Sequence, residues 1–395
     1  MSAWVRSAVW SAALAVALAA VVVVSAAIGP VRIPPAEVVK AVLNALVVPA
    51  GVETTPSGAG PLLSGIGPLT LPGVGPLTLP GVELAYRSPF AFPVEDVHQR
   101  IVVGVRLPRI LMGALVGFAL AAAGTVMQGF FRNPMADPSI IGVSSGAAVG
   151  AVAFIVFPVA LSTTLALPFV GAVDVGLSYG AGVSLFAFVG ALTAAFGVYA
   201  IATRHGRTPV ATLLLAGVAV QTFLGAVISY LQLQAGESLR RIVAWLMGHL
   251  SGAAWGDVAV TALVVPPLFV LLLAYARDLN VLLLGEEEAR GLGIEVERTK
   301  RILLGASALI TAAGVSFAGV IGFVGLIVPH MLRLVVGPDH RVLLPTAALA
   351  GGSFLVAADT VARSGSAELP VGIVTAAVGA PFFIYLLMNR EVHEL

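Results

Sequence analysis

The 395-residue chain contains no cysteine, so it can form no disulfide, thiolate metal site or cysteine-linked lipid anchor. Charge is scarce as well. Asp, Glu, Lys and Arg make up 10% of the residues, against about 25% in an ordinary soluble domain. The formal net charge of +1 gives no electrostatic footprint for nucleic acid. Only two residues are lysines, Lys40 and Lys300, and neither follows the glycine-rich turn that a phosphate-binding loop requires. Any ATP that drives this protein is therefore expected to be hydrolysed by another chain. The six histidines (His98, His205, His249, His330, His340 and His393) are scattered and form no HxxxH pair, which favours structural or surface roles over metal ligation.

Apolar residues fill 58% of the chain, and the mean hydropathy is +1.02. A soluble fold of this length could not hide so much apolar surface from water, whereas a bilayer-embedded one need not. A helix crossing a hydrocarbon layer of about 30 Å needs roughly 20 apolar residues. Candidate spans lie near 7–28, 107–128, 140–158, 179–202, 210–232, 257–276, 302–321, 342–361 and 371–388, with a shorter one at 323–336. The runs are continuous and lack the period-two alternation of barrel strands. They predict an all-α polytopic membrane protein of ten transmembrane helices, forming a single transmembrane domain over 1–395. The first span follows Arg6 and ends in the small residues Ser25-Ala26-Ala27, features shared with a signal peptide. Its apolar run is longer than the roughly 7–15 residues of a signal core, so it is read as a retained helix.

Basic residues in short loops set the orientation. With the N-terminus inside, the inner segments hold Arg6, Arg132, Arg204, Arg207, Arg277, Arg290, Arg298, Lys300, Arg301, Arg333, Arg341 and Arg390; the short outer ones hold Arg240, Arg241 and Arg363. Both termini are thus expected to be cytoplasmic. The long outer connection over 29–106 contains a Gly/Pro-rich insertion at about 50–95, in which GIGPLTLP at Gly65–Pro72 recurs as GVGPLTLP at Gly73–Pro80. Its prolines disfavour a long helix and favour an extended segment, either a flexible insertion with no part in chemistry or a lid or docking surface for an outer partner.

Gly113 and Gly117, and the stripe Gly142, Gly146 and Gly150, are spaced for close helix packing in lipid. Gly142 to Gly146 also spells GxSxG, but that pattern needs a strand-to-helix elbow, and here it opens an apolar helix. Gln128 and Gln221 are the notable polar groups inside spans, while Arg109, Arg333 and Asp359 fall at helix ends. This pattern weakens an ion-coupled carrier, which buries ionisable groups near the midplane. The inner loop 277–301, RDLNVLLLGEEEARGLGIEVERTKR, is rich in both charge signs. Leu284, Glu288, Ala289, Leu292 and the Gly291/Gly293 pair predict two short helices joined by a glycine turn, and its amphipathic character suggests a lever for a cytoplasmic partner.

Several longer motifs resemble those of one permease family. They include Arg106-Leu107-Pro108-Arg109 ahead of a glycine-alanine helix and Gln128; Asn133-Pro134-Met135-Ala136-Asp137-Pro138 before Gly142-Val143-Ser144; Leu213-Leu214-Leu215-Ala216-Gly217-Val218; and Trp245-Leu246-Met247-Gly248. Further along come Gly322-Phe323-Val324-Gly325-Leu326-Ile327-Val328-Pro329-His330, Asp339-His340-Arg341, Glu368-Leu369-Pro370-Val371-Gly372 and Gly379-Ala380-Pro381. From about residue 100 onward the chain resembles the FecCD-like permeases of binding-protein-dependent ABC importers for vitamin B12, haem and iron-siderophores. Its C-terminal third looks most like the vitamin B12 members. The 50–95 insertion departs from the pattern.

That resemblance implies a type II ABC importer permease: ten helices per subunit, and a homodimer with the pathway on its axis. It implies two ATPase subunits carrying ATP and Mg, a soluble extracytoplasmic binding protein, a lipid surround, and no cofactor on this chain. Arg106, Arg109 and Arg363 would dock carboxylates of the binding protein. Leu284, Gly285, Glu286, Glu288, Ala289, Leu292 and Gly293 would form the ATPase-coupling surface, and Met135 and Val210 an inner gate.

Overall fold

The structure is a computed structural model that describes residues 3–46, 48–53, 83–159, 162–167, 171–176, 178–365 and 367–389. The helices, in chain order, are α1 Ala3–Ala27, α2 Pro35–Ala45, α3 Asp96–Arg100, α4 Leu107–Phe130, α5 Val143–Val156, α6 Tyr179–Ala202, α7 Val210–Leu233, α8 Leu239–Leu246, α9 Trp255–Ala274, α10 Ala276–Leu282, α11 Glu286–Gly291, α12 Val296–Ala318, α13 Val324–Val336, α14 His340–Ala362 and α15 Val371–Asn389. Two antiparallel ribbons interrupt them. β1 Val48–Glu53 pairs with β2 Glu83–Arg87, and β3 Ser162–Leu167 pairs with β4 Gly171–Gly176.

Each expected apolar segment contains a helix, though α5 is shorter than the expected 140–158 and α12 begins six residues ahead of the expected 302–321. Among the described residues, seven helical stretches are long and apolar enough to cross a membrane, while Val143–Val156, Val324–Val336 and Val371–Tyr385 are apolar but shorter. At 1.5 Å per residue, the 14 residues of α5 and the 13 of α13 reach only about 20 Å, less than the hydrocarbon thickness. Each is preceded by irregular backbone that lengthens it: a 3₁₀ turn over Pro138–Ile141 before α5, and residues 319–323 before α13.

α4 is the central helix, packed against α9, α12, α13 and α14, and 78% of its apolar window is buried, compared with none in α1. Lipid tails are as apolar as leucine, so close backbone approach has to hold such helices together. The expected small-residue contacts are present. A Cβ on Gly117 would collide with the Gly351 carbonyl of α14, and one on Gly146 with the Gly190 carbonyl of α6. Gly142 behaves differently from the stripe expected of it. Its φ is +83°, and it turns the chain from the 3₁₀ segment into α5. A 3₁₀ turn and not a strand leads directly into Ser144, so the nucleophile elbow is not built.

The interior glutamines anchor irregular backbone. Pro329 has no N–H to give to the Gly325 carbonyl, and in that weakened first turn of α13 the Gln128 amide donates to the Leu326 carbonyl at 2.8 Å. Gln221 on α7 donates to the Ser139 and Ile140 carbonyls of the 3₁₀ turn at 2.9 and 2.8 Å.

The 29–106 connection is more ordered at its flanks than its composition suggests. α2 packs on the end of α1, Asn44 exchanges two hydrogen bonds with the Phe92 backbone, and His98 meets Glu37 at 2.6 Å. Strands β1 and β2 bracket residues 54–82, and both repeated octets lie in that stretch, outside the described residues. From α3 the chain passes through a wide π-type turn, Ile101–Arg106, into α4, just ahead of helix-disrupting Pro108.

Candidate functional site

Polar side chains gather at the two ends of the bundle. At the Arg6 end of α1, the Arg6 guanidinium donates to the Val336 carbonyl, Asn280 to Asp339 at 2.7 Å, and Arg132 to the Leu282 carbonyl at 2.7 Å. At the Ser25 end lie Arg106, Arg109, Arg363, Asp359 and Glu368. Each of these ties joins two segments that the positive-inside count assigns to the same side.

The structure brings the three arginines expected to dock a partner into one cluster and engages each within the chain. Arg106 is buried and donates to the Ala26 and Val31 carbonyls. Arg363 donates to the Ile28 carbonyl at 2.7 Å and to the Ser25 carbonyl and hydroxyl, fastening the end of α1 to the end of α14. Arg109 spends one guanidinium edge on Asp359, with Nη2 and Nε at 2.7 and 2.9 Å, in a bidentate pair. Its Nη1 meets Glu368 at 2.6 Å. The two acids differ sharply: the Asp359 side chain is 2% exposed and that of Glu368 49%. His249 lies nearby, and burial together with the Arg109 charge holds its pKa below the usual value, so the ring is neutral at pH 7.

The other end carries the expected coupling and gate residues. Two short helices form, as the loop pattern predicted, but the glycine between them is Gly285 (φ +143°), with Gly293 (φ +84°) turning the chain onward into α12. Ala289 is buried beneath α11. Leu284 and Leu292 are 66% and 65% exposed, and Glu288 is exposed beside them. An apolar pair of this kind, flanked by carboxylates, suits a protein partner.

Val210 opens α7 and lines a cavity of about 320 Å³ with Phe130, Phe131, Arg132, Leu282, Glu286 and Lys300. Met135 is half-buried in the turn after α4, its N–H held by the Asn133 side chain at 2.9 Å. In the same turn Asp137 accepts from the Ser139 N–H at 2.8 Å, and burial raises its pKa. Asp339 caps α14 and accepts from Arg341 and Asn280, which hold its pKa at about 2.

In sequence Lys300 counts only as an inner basic residue of the 277–301 loop and as no phosphate ligand, with no partner assigned. Its side chain is 5% exposed, and its ammonium meets Glu286 at 2.5 Å and Glu297 at 3.5 Å. The available signal was an i, i+3 Glu–Lys pair at the foot of an apolar helix in a chain with two lysines.

Comparison with known proteins agrees with this architecture. The chain is 55% identical over 391 residues to the cobalamin import system permease BtuC of Halobacterium salinarum, covering 99% of this chain and 98% of that one. It is 41% identical over 313 residues to the hemin transport system permease HmuU of Yersinia pestis, covering 78% and 90% respectively. A solved metal-chelate type ABC transporter in an inward-facing conformation superposes with a TM-score of 0.65 at 32% identity, covering 82% of this chain and 95% of its own. The profile of the FecCD transport family matches residues 17–389. A helical bundle with half-length helices after the NPMADP turn and before Gly337, matched by that profile over nearly its whole length, belongs to the FecCD transport family: the chain is a membrane permease of the ABC transporter type.

Proposed function

We propose that this chain is the membrane permease of a vitamin B12 (cobalamin) importer, working as a homodimer of ten-span subunits in the cell membrane with both termini cytoplasmic. The observation that carries the cargo is the 55% identity to a cobalamin permease, sustained over 99% of the chain, insertion included. A relative named for hemin matches at 41% over 78% of the chain.

In this reading two ATPase subunits, which hold ATP and Mg, grip the surface formed by Leu284, Gly285, Glu286, Glu288, Ala289, Leu292 and Gly293. Exposure of the two leucines supports it. ATP binding draws the ATPases together, α10 and α11 move with them, and the inner gate at Met135 and Val210 opens or closes. The permease changes no covalent bond and carries no cofactor.

A soluble binding protein delivers cargo to the other end, at Arg106, Arg109 and Arg363. Because Arg106, Arg363 and the Asp359-facing edge of Arg109 are engaged internally, the open position for a partner's carboxylate is Arg109 Nη1, which only half-exposed Glu368 now caps.

Reconstitution in liposomes with the ATPase and binding protein tests the whole. ATP-dependent uptake of cobalamin is expected. Preferential uptake of hemin or a ferric siderophore would reassign the cargo. Uptake by this chain alone on an ion gradient would overturn the importer.

A further inference from the structure

The backbone N–H and the carbonyl of Thr208, two residues before the start of α7, are both held by one ion pair. Glu297 accepts its N–H at 3.2 Å, and Lys300 donates to its carbonyl at 3.1 Å. The Thr208 side chain is buried and meets the Thr203 hydroxyl at 3.0 Å. Pro209 follows, and Val210 begins α7. The same ammonium meets Glu286, the first residue of α11, at 2.5 Å. One buried cation therefore joins three parts of the chain: the short helix α11, the foot of α12, and the turn that launches α7.

These parts differ in how firmly they are held. Within the chain, 72% of the apolar window of α12 is buried, against 17% for α7. Near the link the packing is also incomplete, since Glu286, Lys300 and Val210 all line the cavity of about 320 Å³ described above. Across that gap the contact joins a buried ammonium, 5% exposed, to a carboxylate that is 33% exposed, and pulling the two apart costs the ammonium its shortest charged contact.

We propose that Lys300 is a positioning residue that passes the movement of α11 to the start of α7, with Glu286 as its contact on the driven side and the Thr208 peptide as its contact on the gate side. The inference rests on reading the chain as an ATP-driven permease. It goes beyond that reading by assigning the connection between coupling surface and gate to one ion pair.

The absence of native cysteine makes site-specific spin labelling clean. Labels are placed singly at the exposed positions Glu287→Cys on α11 and Ala211→Cys at the start of α7. In the complex with the ATPase, both labels should change mobility when ATP is added. Lys300→Met, which leaves every residue of the coupling surface in place, should preserve the response at 287 and abolish it at 211. Transport per ATP hydrolysed should fall about tenfold. Lys300→Arg should restore part of the loss. If the label at 211 still responds in Lys300→Met and transport stoichiometry is unchanged, the link is only structural and the proposal is overturned. If the label at 287 is silent in the otherwise native complex, the importer reading fails, and the strut with it.

Discussion

At the scale of single residues, the Arg109 cluster shows how environment separates two similar acids. Asp359 is fully enclosed and bidentate, so Asp359→Ala leaves the largely enclosed Arg109 with Glu368 alone and should cost about 3 kcal/mol, the low end for a broken buried pair. Glu368 is half-exposed, and its pairing is worth about 1 kcal/mol or less. Thermal unfolding in detergent should therefore drop sharply for Asp359→Ala and little for Glu368→Gln. Glu368→Gln should also tighten capture of the binding protein, because it weakens the internal competitor for Arg109 Nη1; unchanged or weaker capture would argue against docking at that atom.

Asp339 gives a pH-dependent prediction. Its pKa of about 2 in the folded chain lies below the ordinary 3.8, so its contribution is complete above about pH 4 and is lost as pH falls toward 2. Asp339→Ala should lower stability by about 1–2 kcal/mol at pH 7, and the gap from the native chain should close over that acid range. Melts across pH would show it.

Among the elements, the α5–α6 and α4–α14 pairs depend on glycine faces. Gly146→Val would push a side chain into the Gly190 carbonyl, and Gly117→Val into that of Gly351. Backbone cannot yield as a side-chain tip can. Each substitution should cost about 1–3 kcal/mol or more, read as a lower melting midpoint and reduced yield from the membrane. The outer connection makes the opposite prediction. Residues 83–87 form β2 and pair with β1, so excising 56–80 keeps both strands and shortens only the connection between them. Loop closure changes slowly with length, and that deletion should leave the bundle folded. Extending the cut through residue 85 removes half of the ribbon and should disturb the packing of α2 and α3, visible as faster proteolysis at that end.

For the whole molecule, the two ends divide the labour. One is stitched by Arg106, Arg109 and Arg363 to backbone carbonyls and the buried Asp359; the other, beside its own Arg6 and Arg132 ties, presents two bare leucines that flank the short helix α11. Leu284→Glu with Leu292→Glu should abolish co-purification with the ATPase while leaving the melting midpoint of the isolated permease nearly unchanged, because both side chains already face outward. Retention of the ATPase by that double variant would place the coupling surface elsewhere.

Apolar run length alone was enough to locate the membrane helices: α6 spans the predicted 179–202, and α7 and α13 fall within a residue or so of expectation. Hydropathy and loop charge act locally, so they can be read without knowing what packs where. The GxxxG spacing likewise announced Gly117 and Gly146 as contacts, since helical periodicity puts them on a face. Local patterns carried no information about which face meets which, and that decided the rest. Arg106, Arg109 and Arg363 look alike as sequence, yet only the fold brings Ala26, Asp359 and Glu368 to them across separations of 80, 250 and 259 residues. Lys300 gained its role in the same way, from a threonine peptide 92 positions earlier in the chain. Long-range polar partners are chosen by geometry, and geometry exists only once the helices have packed.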